Sequence, residues 1–369
     1  MRFPKAPALF ACAILALGVA ACGSSKKSSS STSSSSSVSS NIKGGIAVLL
    51  PDTQSSPRWE TQDRKYLDQA FTAAGIKHTI VNAQGDPATQ RSQADQALTN
   101  GAKVILLVDL DPGSGASIIN AAHARGAKVI DYDRLTLGGG ADYYVSFNNV
   151  TVGKLQGQGL VNCVQQRGLT KPVVAELNGS PTDNNATLFA QGYNSVLDPM
   201  YKSGKFVKGP NQSVPEWDAQ KALTIFEQML QQTNNKINAV LTANDTLATS
   251  VISALGARKL TKLPTTGQDA TTAGIQHILS GDQCMTVYKP IKKEADAASR
   301  LAVQLAKGQA PTASASSANN GRTTPSVLLV PIPVTKANLK DTVFKDGFVT
   351  PSQICVGAYA KECTALGIQ

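Results

Sequence analysis

A series of short polar segments carries the side chains of this sequence best suited to chemistry: Arg58-Trp59, Asp131-Tyr132-Asp133-Arg134, Asn148-Asn149, Asp183-Asn184-Asn185, Asn244-Asp245, Gln268-Asp269 and Lys289-Pro290. With Trp217 they supply carboxylates, amides, guanidiniums, an ammonium and two indoles. A neutral polyol needs this mixture, because each hydroxyl both donates and accepts: Asp takes the proton, while Arg, Lys and Asn donate to the oxygen. One hydrogen bond to a charged partner contributes roughly 1.5–3 kcal/mol net. Several of them, with aromatic faces against the C–H surface of a ring, reach a micromolar constant, about −8 kcal/mol. Covalent chemistry has less support. The chain has no Gly-x-Ser-x-Gly elbow, no Walker-type glycine loop and no histidine beside a nucleophile. The Gly157-x-Gly159 pair lacks a third glycine, and Asp133 with Asp269 is the one carboxylate pair a glycosidase would use. No cofactor is expected.

The elements that must position these residues alternate in type. Ile46 to Leu50, Lys77 to Val81, Val104 to Val108 and Lys128 to Ile130 read as strands, the third apolar enough to be buried on both faces of a parallel sheet. Helices are expected near Asp63–Ala74, Pro87–Asn100 and Gly115–Arg125, each followed by the glycine that favours a helix end: Gly75, Gly101 and Gly126. After Tyr143 to Phe147 a second set follows. Its strands are expected at Pro172–Leu177, near Phe206–Val207, and at Ala239–Thr242, Leu263–Gly267 and Met285–Tyr288. Helices are expected near Val150–Gln166, Ala186–Leu197, Ala219–Gln232, Thr246–Gly256 and Thr271–Leu279. A helix near Lys292–Lys307 and a strand near Ser326–Pro331 come late enough to return to the first lobe. The fold class is therefore α/β, with two doubly wound parallel-sheet lobes. Ligands bind such sheets at the strand carboxyl ends, where the polar segments fall.

Each segment also has a plainer reading. Asp183-Asn184-Asn185 and Asn244-Asp245 are good helix N-caps. Asp133-Arg134 would serve as an ion pair within one lobe, either tryptophan as a core or surface aromatic, and Lys289-Pro290 as a hinge. Their common placement favours the ligand site.

In order along the chain, Arg58-Trp59, Tyr132-Asp133-Arg134, Ser180-Pro181-Thr182-Asp183-Asn184-Asn185-Ala186, Asn234-Asn235-Lys236-Ile237, Asn244-Asp245, Gly267-Gln268-Asp269-Ala270, Met285 to Pro290, Asn319-Asn320-Gly321 and Lys340 to Val343 resemble the D-xylose-binding proteins of bacterial ABC transporters. That family belongs to the ribose/galactose type of periplasmic sugar-binding proteins. The resemblance implies a type I periplasmic binding protein with three hinge crossings and a monosaccharide, D-xylose or a related aldose, clamped between the lobes. It implies sugar contacts from Arg58, Trp59, Asp133, Arg134, Asn185, Trp217, Asn244, Asp269 and Lys289. Partners would be an ABC permease and ATPase; a sugar-sensing subunit facing a membrane kinase or chemoreceptor is the alternative. The chain departs from the family at Asn148-Asn149-Val150, where Asp-Asn-Glu is usual, at Ser213, where an aromatic is usual, and in its cysteine-bearing tail after Pro351.

The N-terminal segment points to export. Arg2 and Lys5 precede an apolar run ending in Val19-Ala20-Ala21-Cys22-Gly23, which reads as a signal peptide (residues 1–21). Cys22 resembles the lipobox cysteine of exported bacterial lipoproteins, which implies a lipoprotein signal with Cys22 lipidated and anchored to the outer face of the cell membrane, a soluble secreted protein cut nearby being the alternative. Residues 22–43, mostly serine, lack apolar surface to bury and read as a disordered tether. The body divides into residues 44–146 plus 290–331 as an N-terminal lobe, and 147–289 plus 332–369 as a C-terminal lobe. The net charge of +10 becomes +8 without Arg2 and Lys5, and its lysines and arginines are scattered rather than gathered into a stripe, against nucleic-acid binding. A monomer is expected. Outside the cytoplasm the four body cysteines favour disulfides, Cys355–Cys363 as near neighbours and Cys163–Cys284 as the other pair. The spacings lack Cys-x-x-Cys and the histidines are isolated, so no metal is expected.

Overall fold

The computed structural model describes residues 45–260 and 262–368. The expected signal peptide, lipidated Cys22 and serine-rich tether lie outside them. In chain order the first part comprises β1 (Ile46–Leu50), α1 (Arg64–Ala73), β2 (His78–Asn82), α2 (Pro87–Thr99), β3 (Val104–Leu107), α3 (Pro112–Ala124), β4 (Lys128–Tyr132) and β5 (Tyr143–Phe147). The second comprises α4 (Asn149–Gln166), β6 (Val173–Asn178), α5 (Asn184–Lys202), β7 (Val207–Ser213), α6 (Ala219–Gln232), β8 (Ala239–Thr242), α7 (Asp245–Ala257), α8 (Thr272–Ser280) and β9 (Met285–Tyr288). The chain then returns with α9 (Ile291–Ala306), β10 (Ala315–Asn319) and β11 (Arg322–Leu329), and ends with β12 (Ile332–Thr335), α10 (Pro351–Ile354) and α11 (Ala360–Ala365).

The first lobe is a seven-stranded sheet of order β10-β11-β5-β4-β3-β1-β2, parallel except for the β10–β11 hairpin. Its central strands are apolar throughout because each face is covered. Val48, Leu50 and Leu106 meet Leu67 and Phe71 of α1 and Ala298 and Leu301 of α9, while Leu49, Ile105 and Leu107 meet Ala94 of α2 and Ile119 of α3. The late helix and strand thus do rejoin the first lobe. Helix α3 begins three residues before the expected Gly115, because Asp111 caps it by accepting from Ser114 N at 2.9 Å and Pro112 needs no partner for an N–H it lacks.

In the second lobe β7, β6 and β8 form a parallel sheet, and β9 pairs antiparallel with β12. The expected strand at Leu263–Gly267 is not a ladder: only Thr265 bridges, to Val240. Pro264 has no N–H to give, and side chains take over, with Thr242 N donating to Thr266 Oγ1 at 3.0 Å. On its other side Cys284 N donates to Thr265 O and Val287 N to Gly267 O, so the segment still wedges between β8 and β9. The chain passes between lobes after β5, after β9 and after β11.

Cys163 of α4 is bonded to Cys284, before β9, and Cys355 to Cys363, which staples the tail. The first bridge closes a separation of 121 residues and the second only 8. Since a crosslink acts mainly by restricting the unfolded chain, replacing Cys163 and Cys284 by serine should lower the unfolding free energy by about 2–4 kcal/mol, and by more than the same change at Cys355 and Cys363. Urea denaturation of the two double variants tests this; equal losses would contradict it. Among the described residues no helix is long and apolar enough to cross a membrane, and no group of three or more His, Cys, Asp or Glu is placed to hold a metal.

Candidate functional site

The strand carboxyl ends of both lobes converge on one chamber. From the first lobe it is lined by Ser55, Ser56, Arg58 and Trp59 beyond β1, and by Asp133 and Arg134 beyond β4. From the second come Asp183, Asn185 and Phe189 around the start of α5, Trp217, Asn244 beyond β8, Gln268, Asp269, and Lys289 beyond β9. All nine expected contact residues therefore line the same space.

Asp133 is its hub. Its carboxylate accepts from Arg58 Nη1 at 2.6 Å and from Asn185 Nδ2 at 3.1 Å, with Lys289 Nζ at 3.8 Å. Burial pushes this carboxyl up, but Arg58, Lys289 and Arg134 outweigh it and hold it below the ordinary Asp range. Lys289 Nζ lies 2.9 Å from Asp269 Oδ1. Although burial disfavours its charge, Asp269 and Asp133 raise its pKa, so it stays an ammonium. Arg58 is fully committed: Nε and Nη2 grip Asp63, each at 2.8 Å, and Nη2 also meets Glu294 of α9 at 2.6 Å. Burial raises Glu294 to about 8 despite Arg58, with Asp133 and Asp63 adding repulsion.

The plainer readings resolve residue by residue. Asp183 and Asn244 do cap helices, accepting from Asn185 N and Leu247 N at 2.9 Å each, and they line the chamber as well. Asp133 and Arg134 are not a pair; Arg134 Nε instead lies 3.3 Å from Asp183 in the other lobe. Both tryptophans are buried at the chamber. Trp59 Nε1 donates to Ser55 Oγ at 2.9 Å, and the guanidinium of Arg58 stands 4.5 Å from its ring centre. Lys289-Pro290 is at once a chamber wall and the second crossing. Of the departures, Asn148 caps α4 and Ser213 lies exposed at the end of β7, while Asn149, where the family also has asparagine, donates from Nδ2 to Asn185 Oδ1 at 2.7 Å.

Contacts that join the lobes across this space include Asn185 to Asp133, Lys289 to Asp133, Arg134 to Asp183, Ser56 Oγ to Asp269 Oδ2 at 3.1 Å, and Asn244 Nδ2 to Ser55 O at 3.1 Å. The backbone is strained where it presents three of the polar or aromatic groups. Asp133 (φ 64°), Trp217 (φ 58°) and Asp269 (φ 89°) all lie in the left-handed half of φ space, at roughly 1–3 kcal/mol each.

Ser55, Ser56 and Phe189 of the lining carry no sequence signal, Asp183 and Gln268 stand in the polar segments past strand ends without being among the nine expected contacts, and Asp63 and Glu294 are not singled out by the sequence. Ser55-Ser56 sits in an irregular segment with no period, and Phe189 reads as ordinary helix core.

A family model described as the periplasmic binding protein domain matches residues 46–310. Over 317 residues the chain is 38% identical to the D-xylose-binding periplasmic protein of Escherichia coli (strain K12), covering 86% of this chain and 93% of that one. It is 32% identical over 331 residues to the multiple sugar-binding periplasmic protein SbpA of Azospirillum brasilense, 84% and 91% of the two chains. The crystal structure of a carbohydrate transporter solute binding protein from Chloroflexus aurantiacus in complex with D-glucose matches with a TM-score of 0.76 at 29% identity, over 84% of this chain and 97% of that one. Two α/β lobes with three crossings and a chamber between them define a type I periplasmic binding protein. The chain belongs to the ribose- and xylose-type periplasmic sugar-binding family. That is a family of binding proteins, not of enzymes.

Proposed function

We propose that this protein captures an uncharged monosaccharide, D-xylose or a related aldose, in the chamber and delivers it to the permease and ATPase of an ABC importer. It does so as a monomer, held to the outer face of the membrane by a lipid on Cys22. The observation that carries the reading is the charge balance of the lining: three cations, Arg58, Arg134 and Lys289, face three carboxylates, Asp133, Asp183 and Asp269, each within reach of an opposite charge. An ionic ligand would leave one buried charge unmatched, at a cost of several kcal/mol. A neutral sugar instead inserts donors and acceptors between charges that are already paired, while Trp59 and Trp217 cover its C–H surface.

The nine lining residues expected from the resemblance act from both lobes, so sugar favours the closed arrangement, and closure presents the lobes together to the permease. The names of the relatives support a neutral aldose. Titration calorimetry of the purified protein with D-xylose, D-glucose, D-ribose and D-glucuronate should give a micromolar or tighter constant for D-xylose and no heat with the glucuronate. Absence of heat with every neutral sugar would remove the reading.

A further inference from the structure

The indole of Trp217 is held on nearly every side. Its Nε1 donates to Asp183 Oδ2 at 3.1 Å, and Phe189 meets it edge-on with ring centres 6.4 Å apart. The turn that carries it is tied down by Glu216 N donating to Ser180 Oγ at 3.1 Å and Val214 N to Asn178 O at 3.1 Å. Glu216 and Trp217 sit at φ 57° and 58°, a conformation that such a turn keeps only when its surroundings hold it. Against the six-membered ring, and not itself among the residues that line the chamber, lies Gly179, just past the end of β6. A methyl group there would overlap Cη2 and Cζ2 of the indole and lie 2.6 Å from Cζ3. The three nearest atoms all belong to that ring, and the backbone of Gly179 is outside the left-handed region, so alanine suits the chain and collides with the indole.

We propose that Gly179 is a positioning residue that sets the depth of the chamber. Its bare Cα lets the Trp217 ring lie back, and this determines how bulky a sugar the closed lobes accept. The inference rests on the sugar-binding reading above. Carbon atoms in contact settle at about 3.5–4.0 Å, so a methyl at Gly179, which overlaps Cη2 as the ring lies, displaces that edge of the ring by about 1.5–2 Å. With Nε1 anchored on Asp183, the free end of the indole swings toward the chamber.

Gly179→Ala, Trp217→Phe and the double variant would be titrated with D-xylose and D-glucose beside the unaltered protein. The expected result is a loss of roughly tenfold for D-xylose in Gly179→Ala, about the value of one aromatic contact, and a larger loss for D-glucose, so that the ratio between the sugars changes. In the double variant the smaller phenyl ring fits in front of the methyl, and the ratio returns to that of Trp217→Phe alone. If Gly179→Ala fails to fold and the double variant folds, the collision with the ring is supported; if neither folds, the proposal is overturned. It is also overturned by an unchanged ratio, or by a loss that Trp217→Phe does not relieve. An unaltered protein that binds neither sugar overturns the sugar reading itself, and this proposal with it.

Discussion

Asp133→Ala is expected to abolish sugar binding and to lower the unfolding free energy by about 5 kcal/mol. Removing one member of a buried ion group leaves the others uncompensated, which costs about 3–5 kcal/mol. Here the carboxylate serves Arg58 at 2.6 Å and Lys289 at 3.8 Å, all three side chains being almost fully buried. Asp133 also sits at φ 64°, where alanine pays roughly 1–2 kcal/mol and asparagine much less. Asp133→Asn should therefore be the milder of the two in urea denaturation while still failing to bind in calorimetry. A loss below 1 kcal/mol in the alanine variant would show that Asp133 is not the hub of the cluster.

The second large effect is on pH. Burial raises Asp109 and Asp245 from 3.8 to about 7, against Arg134 for the first and the Gln283 and Thr271 donors for the second, and Glu294 from 4.5 to about 8. Between the unfolded and folded values the native state holds protons that the unfolded chain has released. Their contribution is thus complete below about pH 4 and is lost as pH rises to about 8. Asp133 works the other way: its folded pKa is depressed, so its contribution disappears as pH falls through that lower range. Stability should peak near pH 4–5 and fall steeply toward pH 9. Glu294→Gln keeps the acceptor on Arg58 and cannot ionise, and the buried Oε1 it alters has no partner. Urea denaturation at pH 5, 7 and 9 should therefore show a shallower fall in this variant. An identical slope would mean that Glu294 keeps its charge throughout.

What could be read from the sequence follows from how far each signal extends. The apolar run of Val104 to Val108 reports burial on two faces by itself, and the glycines at 75, 101 and 126, all at positive φ, mark helix ends locally. Polar residues just past a strand are visible for the same reason, which is why Asp133, Asn244 and Lys289 could be placed at one chamber. Residues whose role depends on distant partners left no such trace. Glu294 lies 236 positions from Arg58, and on an amphipathic helix it looks like any solvated acid. Strand β12 was missed because Pro333 weakens a segment of only four residues, which pairs solely with β9. The extended segment at Thr265 was overread because β-branched residues announce a strand without announcing how many backbone bonds Pro264 removes.

The bond between Cys163 and Cys284 has a mechanical consequence. Helix α4 leaves the first crossing and β9 leads into the second, and the bridge ties the far end of that helix to the start of that strand, so the two elements that carry these straps are held in one frame. A twist entering through either strap reaches the other without slack. The far lobe then swings as a paddle on a stiff axle, with the rotation absorbed in the few residues of each strap rather than by any yielding of the sheet behind them.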